Sequence, residues 1–558
     1  MALVTTLMFV VVVYSFAALF ILTTVNEGKM AKAERETAKT FYASHGAAQL
    51  GLNQMDTLIN NFLLNTIANA DPSGVINYAT SQVAAGNGID WLVYSVRDNN
   101  VPVLIQDGEQ AEYAANGTIG NNNYQFTIAI TEKENPSAVT SESWEFPYRY
   151  TIQANSSGQG ANSNVIIEGD FTVNVQRDNF ARFALFTNNQ TTPSGSNVWF
   201  TDKTNFSGPV HTNGTFNFAL NPSGNFDDLA SQQEQLARFY NGGWPVLLDA
   251  EFNGTTDVPT FNNGFNRDAG AITLDSSTIE QDMVDQATGG QSFVSNGIYV
   301  PNNGTTVNGG IYVKGDSTVS MAVDGSNNPV YTISQGSTTK TITLNQSTLQ
   351  TSVLDNTSGV TQTYAGMPDG VEDVGTLIYV EGAINSFSGT VQSTQKVTVA
   401  SRDDIVINNH VQYADYTPGS GTPGTVGYVP PTAETAENLL GIVTWQGSVR
   451  IGTSAPNNVN IHGTVLASSG IFTVDNYTDQ GVGSRGTATL LGGVITDDYG
   501  AFGQFNGSTG QPLSGYGRNF VYDNRMQAGQ SPPYFPTLNA FVAFTNDITD
   551  KLIWREGQ

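Results

Sequence analysis

Cysteine is absent from this chain. Disulfides and thiolate metal sites are therefore excluded, and stability has to come from packing and backbone ladders. Basic residues are scarce: 22 Lys and Arg stand against 49 Asp and Glu, a net charge of −27. Beyond His45 the balance is 18 basic to 46 acidic residues. Such a surface repels nucleic acid and anionic lipid, so no nucleic-acid partner is expected. Charge of either sign is sparse too, at 13% of residues, and most polarity comes from Asn, Gln, Ser, Thr and Gly. That texture suits an exported β-rich protein better than a cytosolic enzyme. No glycine-rich phosphate loop followed by Lys opens a helix, so nucleotide binding is not expected.

What the chain does have is a long hydrophobic start. Met1 to Val25 carries no charged residue. As a helix it spans roughly 37 Å, enough to cross a bilayer core. Charges follow at once, at Glu27, Lys29, Lys32, Glu34, Arg35, Glu36 and Lys39. An apolar helix on a polar chain needs lipid or the matching helices of other copies around it. No basic region or small-residue cleavage site precedes or interrupts the run. It reads either as a signal anchor or as a mature end left after a short basic leader is removed.

The helix is expected to continue to about residue 70. Ala48, Leu52, Met55, Ile59 and Phe62 recur at three- and four-residue steps, an amphipathic stripe that needs a surface to dock on. Gly28, Gly46 and Gly51 mark bends or close contacts, because glycine in a helix interior costs roughly 1 kcal/mol. Asp71-Pro72-Ser73-Gly74 reads as the stop. Strand patterns follow at Trp91 to Tyr94, Tyr124 to Ile130, Tyr148 to Ile152 and Val165 to Val175, with turn signals at Asn116-Gly117, Asn135-Pro136 and Ser157-Gly158. They predict an antiparallel meander packed on the helix stripe, an α+β module.

From Asn179 the texture changes. Apolar triplets alternate with Gly, Asn and Asp, as at 297–300, 310–313, 377–382, 397–399, 405–407, 441–443, 449–451, 459–465 and 470–472. Many short strands with frequent turns predict an all-β domain built as a β-helix, or solenoid, with a β-sandwich as the alternative. Helices are predicted at Asp227–Tyr240 and Ser277–Thr288, and an inserted hairpin from Tyr331 to Leu344. The proline-rich end, Ser531 to Pro536, is expected to pack across the body as an extended piece. The expected domains are thus 1–70, 71–178 and 179–558.

Candidate sites are few. His45, His211, His410 and His462 have no partner at metal-binding helical spacing, and a structural hydrogen bond is the expectation for each. The pairs Asp227-Asp228, Asp403-Asp404 and Asp497-Asp498 read as solvated turn carboxylates, with weak Ca2+ binding as the alternative and no other cofactor expected. Lys and Arg are sparse around these pairs, Lys396 and Arg402 being the nearest to Asp403, so a polysaccharide lyase or hydrolase is the less favoured reading. Asn-Gly-Thr or Asn-Gly-Ser recurs at Asn116, Asn213, Asn253, Asn303 and Asn506; these are turn formers and also candidate glycosylation acceptors. Tyr413, Tyr416, Tyr428, Trp445 and Tyr477 are candidate carbohydrate or surface contacts, with core packing the alternative for each.

The beginning resembles the pilin-like proteins of the type IV filament superfamily, in particular those with a PilX-like N-terminal segment. The resemblance lies in Ala2-Leu3-Val4, the long apolar helix, and Phe41-Tyr42-Ala43-Ser44. Further motifs are similar to large relatives of that group: Gly208-Pro-Val-His211-Thr-Asn213, Thr398 to Ser401 followed by Asp404 to Ile407, Leu439 to Ile442, Ser484 to Thr487 leading to Gly492, and Tyr522-Asp523 before Pro532 to Pro536. It implies a pilin-like domain with a large β-solenoid head, held in the inner membrane before assembly. It implies leader removal by a prepilin peptidase, a methylated N-terminus, and an assembly platform and motor as partners. The filament core would be made by Met1, Leu3, Val4, Thr5, Leu7, Phe9, Val10, Tyr14, Phe16 and Phe20 of many copies, and the location would be an extracellular filament. Position 5 departs from the pattern. Major pilins carry Glu there, and this chain has Thr5, which leaves a repeated subunit and a minor, tip-located adhesin both open.

Overall fold

The computed structural model describes residues 2–140, 142–158, 160–201, 204–219, 224–239, 245–246, 258–274, 276–506, 511–546, 548–549 and 552–556. The chain divides into two units, one of residues 1–177 with 539–558 and one of residues 178–538. The expected head of 179–558 therefore gives up its last stretch to the first unit.

In the first unit an α-helix runs from Ala2 to Asp56, opens into a π-helical turn at Thr57–Leu63, and resumes over Leu64–Ala68. Its second half buries Thr40, Ala43, Ser44, Ala47, Ala48, Gly51, Leu52 and Met55, the face that the three- and four-residue spacing marks. The wide turn keeps Leu58, Ile59 and Leu63 on that face as well. Asp71-Pro72 ends this helix and begins another, Pro72–Ala85: the Asp71 carboxylate accepts from the Gly74 N–H at 3.0 Å, and Pro72 occupies the first turn, where no N–H is needed.

Trp91 to Tyr94, expected as strand, lies in a short helix, Gly88–Ser95. Two polar groups make the difference. The Asn87 side chain accepts from the Asp90 N–H, and the Glu132 carboxylate accepts from the Gly88 and Ile89 N–H groups. With its first N–H groups satisfied the turn is stable, and Trp91 stacks on Phe146 with ring centroids 4.0 Å apart.

The helices pack on an antiparallel sheet whose central strands are Gln110–Ile119, Asn122–Glu132, Ser143–Gly158 and Ala161–Asn179. The meander thus begins near residue 105 rather than at Trp91. Asn116-Gly117 sits within a strand, and the turn falls at Gly120, whose φ is +63°. Along the third of these strands Trp144, Phe146, Tyr148, Tyr150, Ile152 and Ala154 are buried at a period of two, so one face of the sheet is a continuous apolar floor. Thr537–Thr545 and Ile553–Glu556 join the same sheet.

In the second unit the short triplets form two parallel ladders. One stacks Ile311–Lys314, Thr376–Glu381, Lys396–Ser401, Leu439–Thr444, Thr464–Ala467 and Val494–Thr496 in sequence order. It then continues through Leu185–Thr187, Val210–Thr212, Ala230–Gln232 and Phe265–Asn266. The other stacks Ser317–Val323, Ile384–Val391 and Ile405–Tyr413, and runs on through Asn460–His462, Ser484–Leu491 and Pro512–Val521. From Ile311 onward the chain alternates between the two ladders, whereas the strands that follow 185–187, 210–212 and 230–232, namely Trp199–Phe200, Asn217–Phe218 and Ala237–Phe239, pair with one another in a separate small sheet.

Corners between them need small residues and local caps. A Cβ on Gly382 would meet the Asp316 nitrogen at 2.7 Å, and the Asp316 carboxylate accepts from the Ala383 N–H at 2.9 Å. The expected helix at Asp227–Tyr240 is instead Ala230–Gln232 and Ala237–Phe239, each in parallel register with an earlier strand; Tyr240 lies outside the described residues. Gln232 closes the turn between them, donating to the Glu234 and Leu236 carbonyls. Ladder pairing overrides local helix preference here. The helix Ser276–Thr288 forms as expected, and the hairpin around residues 331–344 extends to a five-stranded meander ending at Ala365. Pro532 to Pro536 lies across the first ladder, where the Pro533 carbonyl accepts from the Thr398 hydroxyl.

Candidate functional site

The feature that stands out is an apolar surface with nothing of its own chain upon it. Leu3, Val4, Thr5, Leu7, Phe9, Val10, Tyr14, Phe16 and Phe20 are all exposed, from 41% at Val10 to 86% at Leu3. Met1 lies outside the described residues. The helix is long and apolar enough to cross a membrane, and none of its apolar stretch is covered by the described residues. Its polar side chains turn inward on their own backbone. The hydroxyls of Thr6, Ser15, Thr23 and Thr24 donate to the carbonyls of Ala2, Val11, Phe20 and Phe20 at 2.7–2.9 Å. A helix surface so arranged offers almost no unsatisfied polar group to a dry environment.

The other half of the helix is held by the sheet. A Cβ on Gly51 would lie 2.6 Å from Ile152 Cγ2, and one on Gly46 3.0 Å from Ile119 Cδ1, so these glycines mark close contact; around Gly28 there is open space. Ser156 donates to the Thr40 carbonyl at 2.5 Å, and the hydroxyls of Ser44 and Ser163 share a hydrogen bond at 2.9 Å. The exposed helix thus projects from a fixed base.

The acidic pairs and the histidines make contacts within the fold. Asp404 accepts from the Ser448 N–H at 2.7 Å and pairs with Arg450 at 3.0 Å, bridging successive passes of the chain. Asp227 accepts from Asn262, Asp228 from Gln527, Asp497 from Asn188 and Asp498 from Thr191. Among the described residues no cluster of three or more His, Asp or Glu is placed to hold a metal. His211 is bonded to Ser231 and Asn213, and burial lowers its pKa. His410 Nδ1 accepts from the Asn460 N–H at 3.0 Å, and His45 stacks on Trp554.

Asn213 is a poor glycan acceptor. Its amide donates to Asn188 and to the Ile272 carbonyl, and its oxygen accepts from the Ile272 N–H. Asn303 caps its own turn by accepting from the Thr305 and Thr306 N–H groups, with Gly304 at φ +98°. Asn116 and Asn506 are exposed, and Asn253 lies outside the described residues. Tyr413 and Trp445, counted as surface candidates, are fully buried. Sequence reading missed the buried pair of Asp523 and Arg525, 2.6 Å apart, whose guanidinium also reaches the Ala436 and Asn438 carbonyls; the only signal was Tyr522-Asp523 among the motifs.

A family model described as Domain of unknown function (DUF4900) matches residues 143–227. No curated protein matches the chain. Among solved structures, the crystal structure of the competence-associated pilin ComZ from Thermus thermophilus aligns over 89% of this chain and 98% of that one, at 12% identity and a TM-score of 0.30. A likeness of that size carries no argument about this chain.

Proposed function

We propose that this chain is a pilin-like structural subunit whose N-terminal helices bundle in the core of a type IV pilus-like extracellular filament. The observation that carries the reading is the division of one continuous helix into an exposed apolar half and a half docked on its own sheet. Burying the apolar half among other copies stabilises a polymer at about 25 cal/mol per Å2 relative to water, and by far less relative to lipid. The membrane is then the holding solvent before assembly, and a prepilin peptidase, platform and motor are the proposed partners. The two parallel ladders support a β-solenoid head displayed outside the core. The role proposed is structural rather than enzymatic.

A minor, tip-located adhesin is the second reading, favoured by Thr5, which supplies no carboxylate for registry with a neighbour. Electron microscopy of the purified full chain tests both. Uniform filaments of this chain alone support the first reading and exclude the tip role. Isolated chains in detergent that never polymerise overturn the filament-subunit reading.

A further inference from the structure

A cleft of about 320 Å3 opens on the second unit. Its floor is the solvent side of the second ladder. There Asn460 pairs with Thr489 and Thr489 with Asn519, while the intervening Ile461 and Leu490 point into the core. Asn458 and Thr487 extend the same polar surface, joined by a 3.0 Å bond from the Thr487 N–H to the Asn458 side chain.

The roof is the connection between Ile405–Tyr413 and Leu439–Thr444. It folds back on itself through paired bonds between Thr417 and Thr432 and between Ser420 and Val429. Two tyrosines tie it down. Asn519 donates to the Tyr428 hydroxyl at 2.6 Å, and Tyr416 meets the His462 ring edge-on, with centroids 4.3 Å apart.

The composition of the walls selects the ligand. Among the described residues no Asp, Glu, Lys or Arg lines the cleft, in a chain of net charge −27. A phosphate, a sulfate, a cation or a carboxylate would enter unpaired, which is costly. A purely apolar molecule would leave the Asn and Thr groups without partners. The amides of Asn458 and Asn460 and the side-chain oxygen of Asn519, whose nitrogen already donates to Tyr428 and Thr489, together with threonine hydroxyls and tyrosine rings, match a molecule that alternates hydroxyls with C–H faces. His462 also lies against the cleft, with its Nε2 buried. Its Nδ1 accepts from the Tyr413 N–H at 3.1 Å, which puts the proton on Nε2, an atom with no hydrogen-bond partner; burial pushes its pKa down to about 3, so the ring is uncharged. The volume falls at the small end of ligand pockets, roughly 300–1,000 Å3, and fits one or two sugar rings.

We propose that this cleft binds a neutral polysaccharide, gripping one or two uncharged sugar rings between the polar ladder and the tyrosine-anchored flap. With no carboxylate in the walls it binds without cleaving. The proposal goes beyond the filament reading and does not depend on it, because the test reads single chains.

The test is calorimetric titration of the full chain in detergent with maltohexaose, cellohexaose and laminarihexaose, with oligogalacturonate as the charged comparison. Saturable binding of a neutral oligomer is expected, unchanged on raising salt to about 0.5 M. Asn460→Ala and Tyr416→Ala are each expected to weaken it by about tenfold. Thr487→Lys, at a half-exposed ladder position, serves as the blocking variant should Tyr416→Ala lower the unfolding temperature. The proposal is overturned if none of the three neutral oligomers binds, if only oligogalacturonate binds, or if binding survives in the correctly folded variants.

Discussion

Gly51 of the long helix and Ile152 of the sheet approach so closely that a methyl group at position 51 would stand 2.6 Å from Ile152 Cγ2. The helix can lie flat on the apolar floor only because position 51 has no side chain. Gly51→Val should therefore destabilise the first unit by about 1–3 kcal/mol, by overpacking. Gly28→Ala, in open space on the half of the helix outside the core, should leave the unfolding temperature unchanged. Thermal unfolding of both variants in detergent checks the contrast; equal effects would mean that close contact does not govern position 51.

Val10 is the least exposed of the apolar positions in the first three turns that were assigned to a filament core, and it is still 41% exposed. Val10→Asp should abolish polymerisation, because a carboxylate in an apolar bundle has no partner. The domain itself should unfold at an unchanged temperature, since this half of the helix contributes nothing to its core. Normal filaments from the variant would show that the helix surface is not buried between copies.

Asp523 and Arg525 form a pair in the second unit with side chains only 3% and 4% exposed. Removing one partner strands a buried charge, so Asp523→Asn should cost about 3–5 kcal/mol. The double variant Asp523→Leu with Arg525→Met should cost less than the single one. Denaturant unfolding of the three proteins measures the difference, and a single variant milder than the double would refute the pairing argument.

Asp369 has its carboxyl pushed up to about 6, first by burial and then by the neighbouring Asp373. The folded state therefore holds this proton more tightly than the unfolded chain does. The stabilisation is complete below the ordinary value of 3.8 and is lost as pH rises through about 6. Asp369→Asn should remove that slope and raise stability at pH 8 relative to the parent, by about 1–2 kcal/mol once solvent screening is allowed for. Thermal unfolding at pH 5 and pH 8 checks the sign.

How much of this was legible in advance depended on the range of the interactions. Ala48, Leu52, Met55 and Ile59 announced the docked face because helical periodicity is local. Tyr148, Tyr150 and Ile152 announced a half-buried strand for the same reason. Trp91 to Tyr94 misled, since the Glu132 carboxylate that supports their helix lies far along the chain. Residues 230–239 misled likewise, because their strands exist only as rungs on earlier ones. The cleft was half visible: Tyr416 and Tyr428 stand out in the sequence as surface aromatics. Asn460, Thr489 and Asn519 were not, as ordinary polar residues gain meaning only when register lines them up.

Residue order alone makes one end of this protein apolar on every side. It also determines that the helix continues with a single sticky face, and that the body is a succession of short strands. Those properties follow from composition and period. Only the tertiary structure decided which strands become neighbours, where the C-terminal residues return, and which polar side chains share a surface. Parallel ladders join residues dozens to hundreds of positions apart, and no local pattern encodes which rung meets which.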